Sequence, residues 1–226
     1  MCGIIGYIGA QAALPIVRDG LKNLEYRGYD SAGVALENGS LDIFKQEGRI
    51  DDLELPENNP AHVGIGHTRW STHGKPTDVN AHPHTDCPGD IAVVHNGIID
   101  NYDAIKSDLI DRGHTFVSET DTEVIPHLLE EAIDDGLLAA VQSVIDRLEG
   151  SFAFAAVAHG HDGIVAARRD SPLVIGHGTD GAFIASDVTA FLEHAREVTY
   201  LEDDDVASLT DDAIEVYHDG EPVDRD

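Results

Sequence analysis

Cysteine, methionine, tryptophan and positive charge are all scarce in this chain. Its 226 residues include two cysteines, one methionine and one tryptophan, and aromatic residues make up only 6%. Two cysteines, Cys2 and Cys87, cannot build a disulfide framework, so a reducing, cytoplasmic setting is the expectation. No apolar run reaches the roughly 18 residues that a membrane-spanning helix needs. No basic stretch precedes the apolar start of the chain, so a secretory signal is not expected either. Positive charge is the largest shortage. Fourteen Lys and Arg stand against 43 Asp and Glu, a net charge of −29. Such a surface repels nucleic acid and excludes it as a partner.

What is present is a foldable core. Apolar residues make up 42% of the chain, their periodicity runs along its whole length, and no linker, repeat or low-complexity tract divides it. One domain over 1–226 is expected. The acidity is spread out, with small clusters at Asp203-Asp204-Asp205 and Asp211-Asp212. An evenly acidic surface over a folded core resembles that of proteins from salt-loving organisms. In about 1 M salt the Debye length shrinks to about 3 Å, which shortens the reach of self-repulsion.

Strands are expected at 4–8, 34–36, 41–45, 63–67, 91–95, 152–158, 163–167, 173–175, 182–185, 198–201, 206–209 and 214–217. Asn38-Gly39 supplies the turn of a hairpin. Helical spacing covers 12–25, 101–112, 123–135 and 137–148, and a short helix is expected over 188–195. Residues 51–60, acidic and bounded by prolines, read as a short helix and loop. Many strands with helices inserted in two blocks imply stacked sheets covered by helices.

Cys2 directly follows the initiator methionine. It is small, so removal of Met1 is expected. Its thiol would then share a residue with a free α-amine. A free thiol titrates near 8.5 and an α-amine at about 7.7–8.0, which pairs a nucleophile with a base poised near neutrality. The stretch from Thr68 to Pro76 and on through Asn80-Ala81-His82-Pro83-His84 has no periodicity and is dense in polar and aromatic groups, as functional loops are. On residue type alone, Asn96-Gly97 also reads as a plain turn, Asp121 as the cap of the helix after it, and Arg69 as a surface arginine. His82, His84 and Cys87 place three soft ligands within six residues. A fourth is not evident, so no metal and no cofactor is expected, and Cys87 reads as an incidental thiol. The remaining histidines read as surface or packing residues.

Taken together, several pieces resemble the glutaminase domain of the glucosamine-6-phosphate synthase family, the glutamine–fructose-6-phosphate aminotransferases. They are Cys2-Gly3-Ile4-Ile5-Gly6, Glu25-Tyr26-Arg27-Gly28-Tyr29-Asp30-Ser31-Ala32-Gly33 and His67-Thr68-Arg69-Trp70-Ser71-Thr72-His73-Gly74. Asn80-Ala81-His82-Pro83-His84, Val94-His95-Asn96-Gly97, Ser118-Glu119-Thr120-Asp121-Thr122-Glu123 and Ile184-Ala185-Ser186-Asp187 follow in family order. Cys-Gly-Ile alone is shared by all class II glutamine amidotransferases; the other pieces point to the aminosugar branch.

The resemblance implies an α+β fold, the four-layer αββα sandwich of N-terminal nucleophile hydrolases. It implies hydrolysis of L-glutamine to glutamate and ammonia. Cys2 would be the nucleophile and its freed amine the base, with Asn96 and Gly97 as the oxyanion hole. Arg69 would grip the substrate carboxylate and Asp121 its ammonium. Trp70, Thr72 and His73 would lie in the loop that closes over glutamine, and Arg27 would support the nucleophile. It also implies phosphosugar isomerase domains in cis and a homodimer in the full-length enzyme. Either an excised domain or a separate glutaminase subunit fits the length. Two other readings stay open: another class II amidotransferase, such as one making asparagine, and a silent regulatory domain of the same fold.

Overall fold

The computed structural model describes residues 2–70 and 75–225. Two seven-stranded sheets face each other. Strands β1 (Gly3–Gly9), β2 (Ser31–Glu37), β3 (Leu41–Glu47), β4 (Val63–Arg69), β9 (Val174–Gly178), β10 (Gly181–Ala185) and β11 (Ala195–Tyr200) form the first, in the order β11-β9-β10-β1-β4-β2-β3. Strands β5 (His84–Thr85), β6 (Ile91–Ile99), β7 (Gly150–Ala158), β8 (Ile164–Arg169), β12 (Asp205–Leu209), β13 (Ile214–His218) and β14 (Glu221–Val223) form the second, in the order β14-β13-β12-β8-β7-β6-β5. Neighbouring strands run antiparallel throughout.

Alternation along the strands builds three apolar layers, because successive side chains leave a strand on opposite faces. From β1, Ile5 and Tyr7 pack under helix α1 (Ala13–Leu24) against Val17 and Leu21. Ile4 and Ile8 face the other sheet instead, joining Ile65, Val94, Ala155 and Ile184. From β7, Phe152 and Phe154 turn outward to α3 (Val124–Ala132) and α4 (Leu137–Ile145), while Ala153 and Ala155 turn inward. Helix α2 (Tyr102–Asp111) covers the same face through Ile105 and Leu109. The result is the expected αββα order of layers. Among the described residues, no helix is long and apolar enough to cross a membrane.

Several local expectations change. Residues 188–195 form only a single 3-10 turn at Val188–Ala190 rather than a helix. The N–H groups of His194 and Ala195 both donate to the Phe191 carbonyl, and β11 starts at Ala195. The helix expected over 123–135 stops at Ala132 and ends in a 3-10 turn, Ile133–Asp135. Strand β6 runs through Asn96-Gly97 to Ile99, so this pair is no plain turn. The polar strand β14 was not expected.

Candidate active site

The site gathers where β1 begins and β4 ends. Gly3 lies opposite Thr68 in this antiparallel pair, which sets Cys2 beside Arg69 and Trp70. The Trp70 backbone N–H donates to Cys2 Sγ at 3.2 Å, and the thiol faces the Trp70 carbonyl at 3.5 Å. Burial raises the Cys2 thiol above its ordinary range, while the Trp70 N–H and the positive charge of Arg69 pull it back.

Strand β6 reaches the same point from the opposite sheet. Asn96 Nδ2 donates to the Cys2 carbonyl at 3.1 Å. A side-chain amide carries two N–H protons, so a second remains for a group bound at the thiol. Gly97, next along β6, is exposed at the rim with φ +121°. A Cβ there would fall 2.0 Å from the Ser151 carbonyl oxygen. Any side chain would therefore push β6 away from β7.

Arg69 is buried although it is charged. Burial lowers its pKa, and the nearby Cys2, Asp121 and Asp30 oppose that shift. Asp121 is buried as well, and its Oδ2 accepts the Ile99 N–H at 2.8 Å. The cap position of α3 falls on Glu123, with no side-chain cap bond. The capping role considered for Asp121 is therefore replaced by a contact across to β6. Glu123 instead gathers the N–H groups of Val117 and Ser118, at 2.8 and 2.7 Å.

The segment 26–29 lies across the end of β4. A Cβ on Gly28 would come within 2.7 Å of the Arg69 and Trp70 backbone, and Thr68 Oγ1 donates to the Gly28 carbonyl at 2.5 Å. Trp70 is half exposed and meets the Tyr29 ring edge-on, with centroids 6.1 Å apart. It packs there. Thr72 and His73 lie outside the described residues.

His67 supplies a feature that residue type alone did not reveal. Its Nε2 stands 3.0 Å from Asn96 Oδ1. An amide oxygen only accepts, so Nε2 carries the proton. That bond fixes which end of the Asn96 amide faces Cys2. Burial drives the pKa of His67 down to about 3, with the Asn96 contact opposing. The ring is neutral and stacks on His82, centroids 4.0 Å apart. His82, His84 and His95 are likewise buried, and burial depresses all three. These four are packing histidines with a positional role, not surface ones. The only advance signal was the placement of His67 inside the His67-Thr68-Arg69-Trp70 motif. A concavity of about 950 Å³ opens at the far end of β1 around Gly9 and His62 and includes none of these residues.

Comparison with known proteins agrees with the geometry. Residues 67–193 match a glutamine amidotransferase domain family. The chain belongs to that family. The isomerizing glutamine–fructose-6-phosphate aminotransferase of Halobacterium salinarum is 58% identical over 229 residues, covering all of this chain and 38% of the relative. That of Methanosarcina mazei is 49% identical over 231 residues, covering 96% of this chain and 37% of the relative. Among solved structures, glutamine phosphoribosylpyrophosphate amidotransferase from B. subtilis, complexed with ADP and GMP, superposes with a TM-score of 0.83 at 25% identity. That match covers 96% of this chain and 49% of the other. The chain thus spans under two-fifths of the length of the aminotransferases it matches.

Within this amidotransferase domain, Arg27 meets Asp187. Its Nη2 pairs with Asp187 Oδ2 at 2.6 Å, and Tyr26 Oη donates to the same oxygen at 2.9 Å. Burial opposes ionisation of Asp187, but the Thr189 N–H, Arg27 and Tyr26 overcome it and hold the carboxyl well below its usual range. The adjacent Ser186 exchanges two bonds with Ile4: Ile4 N–H to Ser186 Oγ at 2.9 Å, and Ser186 N–H to the Ile4 carbonyl at 3.0 Å. The Arg27–Asp187 pair thus sits next to the serine that bonds β1 two residues from Cys2.

Proposed function

We propose that this domain hydrolyses L-glutamine to glutamate and ammonia through Cys2. With Met1 removed, the α-amine of Cys2 takes the thiol proton. The thiolate attacks the side-chain amide carbon of glutamine, and the negative charge develops on the amide oxygen. Asn96 Nδ2 and the Gly97 N–H receive that oxyanion. Collapse returns the proton to the leaving nitrogen and releases ammonia, leaving a glutamyl thioester on Cys2. Water, deprotonated by the same amine, then attacks the thioester and frees glutamate. Arg69 suits the substrate α-carboxylate because a planar guanidinium can grip it with two parallel bonds. Asp121 suits the α-ammonium.

The observation that carries this reading is the convergence on Cys2. The Trp70 N–H reaches its sulfur at 3.2 Å from one sheet, and the Asn96 amide reaches its carbonyl at 3.1 Å from the other. The similarity to isomerizing glutamine–fructose-6-phosphate aminotransferases supports a wider reading. In it the ammonia serves glucosamine-6-phosphate synthesis from fructose 6-phosphate, carried out by phosphosugar isomerase domains in the same polypeptide.

The substrate clamp gives the test. A glutamine analogue without the α-amine should be a poor ligand for the parent. It should lose little more in Asp121→Asn, because the two changes remove the same contact. Equal losses in parent and variant would mean that Asp121 does not touch the ammonium.

A further inference from the structure

Cys87, His114, His127 and Glu130 turn their donor atoms toward one point away from Cys2, all within 4.8 Å of one another. They come from three segments. Cys87 lies in the loop after β5, His114 follows α2, and His127 and Glu130 sit three residues apart on one face of α3. The distances are specific. Cys87 Sγ stands 3.7 Å from His114 Nδ1 and 3.6 Å from His127 Nδ1. The two Nδ1 atoms are 3.2 Å apart, and Glu130 Oε2 lies 3.2 and 3.4 Å from them. Around tetrahedral zinc, with Zn–S at about 2.3 Å and Zn–N at about 2.0–2.1 Å, the S···N edges come to about 3.6 Å. The N···N and N···O edges come to about 3.3 Å on the same geometry. These five edges match, and the sixth, from Cys87 Sγ to Glu130, lies within 4.8 Å, where Glu130 Oε2 also accepts the Cys87 N–H at 3.1 Å.

The outer nitrogen of His114 agrees. His114 Nε2 stands 3.2 Å from Glu131 Oε1, and His127 Nε2 faces Glu123 Oε1 at 3.8 Å. His127 Nε2 is buried with no hydrogen-bond partner among the described residues, whereas the Glu131 carboxylate favours a proton on His114 Nε2, which turns its Nδ1 lone pair toward the other donors. Metal-bound histidines commonly carry a carboxylate on the far nitrogen in this way. The Thr115 N–H faces Cys87 Sγ at 3.5 Å, as N–H groups do around a bound thiolate.

We propose that Cys87, His114, His127 and Glu130 form a structural zinc site. Thiolate plus carboxylate balance the charge of the ion. Two imidazoles complete a closed four-donor set, the pattern of a structural rather than a catalytic zinc. His82 and His84, the residues considered with Cys87 from sequence, take no part, since His82 stacks on His67 and His84 Nε2 contacts Thr120 Oγ1. The site ties the β5–β6 loop to both ends of the segment 114–127, which carries Asp121.

The test uses the whole chain, purified without chelator, with zinc measured by elemental mass spectrometry and the metal-free protein titrated with Co²⁺. One zinc per chain is expected, together with a thiolate-to-cobalt charge-transfer band and the intense visible bands of tetrahedral cobalt. Cys87→Ser should lose the charge-transfer band. Cys87 is exposed, so this variant should stay folded by circular dichroism. His114→Gln should weaken zinc binding by more than about 100-fold, and Glu131→Gln by about 10- to 100-fold. Absence of stoichiometric zinc with no cobalt spectrum would overturn the proposal. So would equal zinc binding by the parent, Cys87→Ser and His114→Gln, which would place the metal on other surface histidines.

Discussion

In the proposed mechanism Asn96 presents an N–H, and not its oxygen, to the reacting amide. The neutral His67 settles that choice by donating to Oδ1. Two expectations follow at this scale. Asn96→Ala should lower turnover by on the order of 10²–10³ while leaving glutamine KM nearly unchanged, the loss typical of one oxyanion donor. His67→Phe keeps the stacked ring on His82 but removes the donor. One such bond contributes about 1 kcal/mol, so kcat should fall by roughly fivefold or more with little change in KM. Glutamate release at saturating and limiting glutamine separates these quantities. An unchanged kcat in His67→Phe would remove its orienting role.

Strand β6 is the element on which the site depends, and Gly97 is its weak point. Gly97→Ala places a Cβ in an unfavourable φ region and against the Ser151 carbonyl. The φ strain alone costs on the order of 1–3 kcal/mol. Gly89, at φ +82°, has nothing within 4 Å of its ideal Cβ, so Gly89→Ala bears the strain without the clash. Urea unfolding should therefore show a larger loss for Gly97→Ala than for Gly89→Ala; equal losses would mean that β6 can move away from β7. The two-residue period of β1, β4 and β7 and the Asn38-Gly39 turn were legible in the sequence, because local patterning fixes them. The turn at 188–195 was not, since Phe191 packs against Gly176 and its buried carbonyl collects two N–H groups. Asp121 looked like a cap because nothing local shows that its partner is the N–H of Ile99, 22 residues earlier. The metal-like cluster was hidden for the same reason. Cys87 and His127 are brought together only by the packing of α3 on the sheet.

At the scale of the whole molecule, charge and buried histidines set the conditions for stability. A net charge of −29 repels itself, and salt screens that repulsion. Tm should rise with KCl between roughly 0.1 and 2 M, in keeping with a proposed adaptation to high salt; a flat or falling curve would remove that reading. Acid should act in the opposite direction. Burial lowers the pKa of His67 from 6.5 to about 3, and His82, His84 and His95 move the same way. Below about 6.5 the unfolded chain binds protons that the folded chain refuses. Stability is therefore kept above that pH and lost as pH falls toward 3, by up to about 1.4 kcal/mol per pH unit for each such histidine. Urea midpoints followed from pH 7.5 to 5 should fall, and His67→Phe should show a slope shallower by about one proton.

The central claim is that Cys2, freed of Met1, carries the acyl group. Acid-quenched turnover of L-glutamine, read by intact mass and peptide mapping, tests it most directly. Chains that have lost Met1 should carry one glutamyl adduct on Cys2, and chains that retain Met1 should carry none and release no glutamate. An adduct on another residue, or full turnover by chains that keep Met1, would contradict the account.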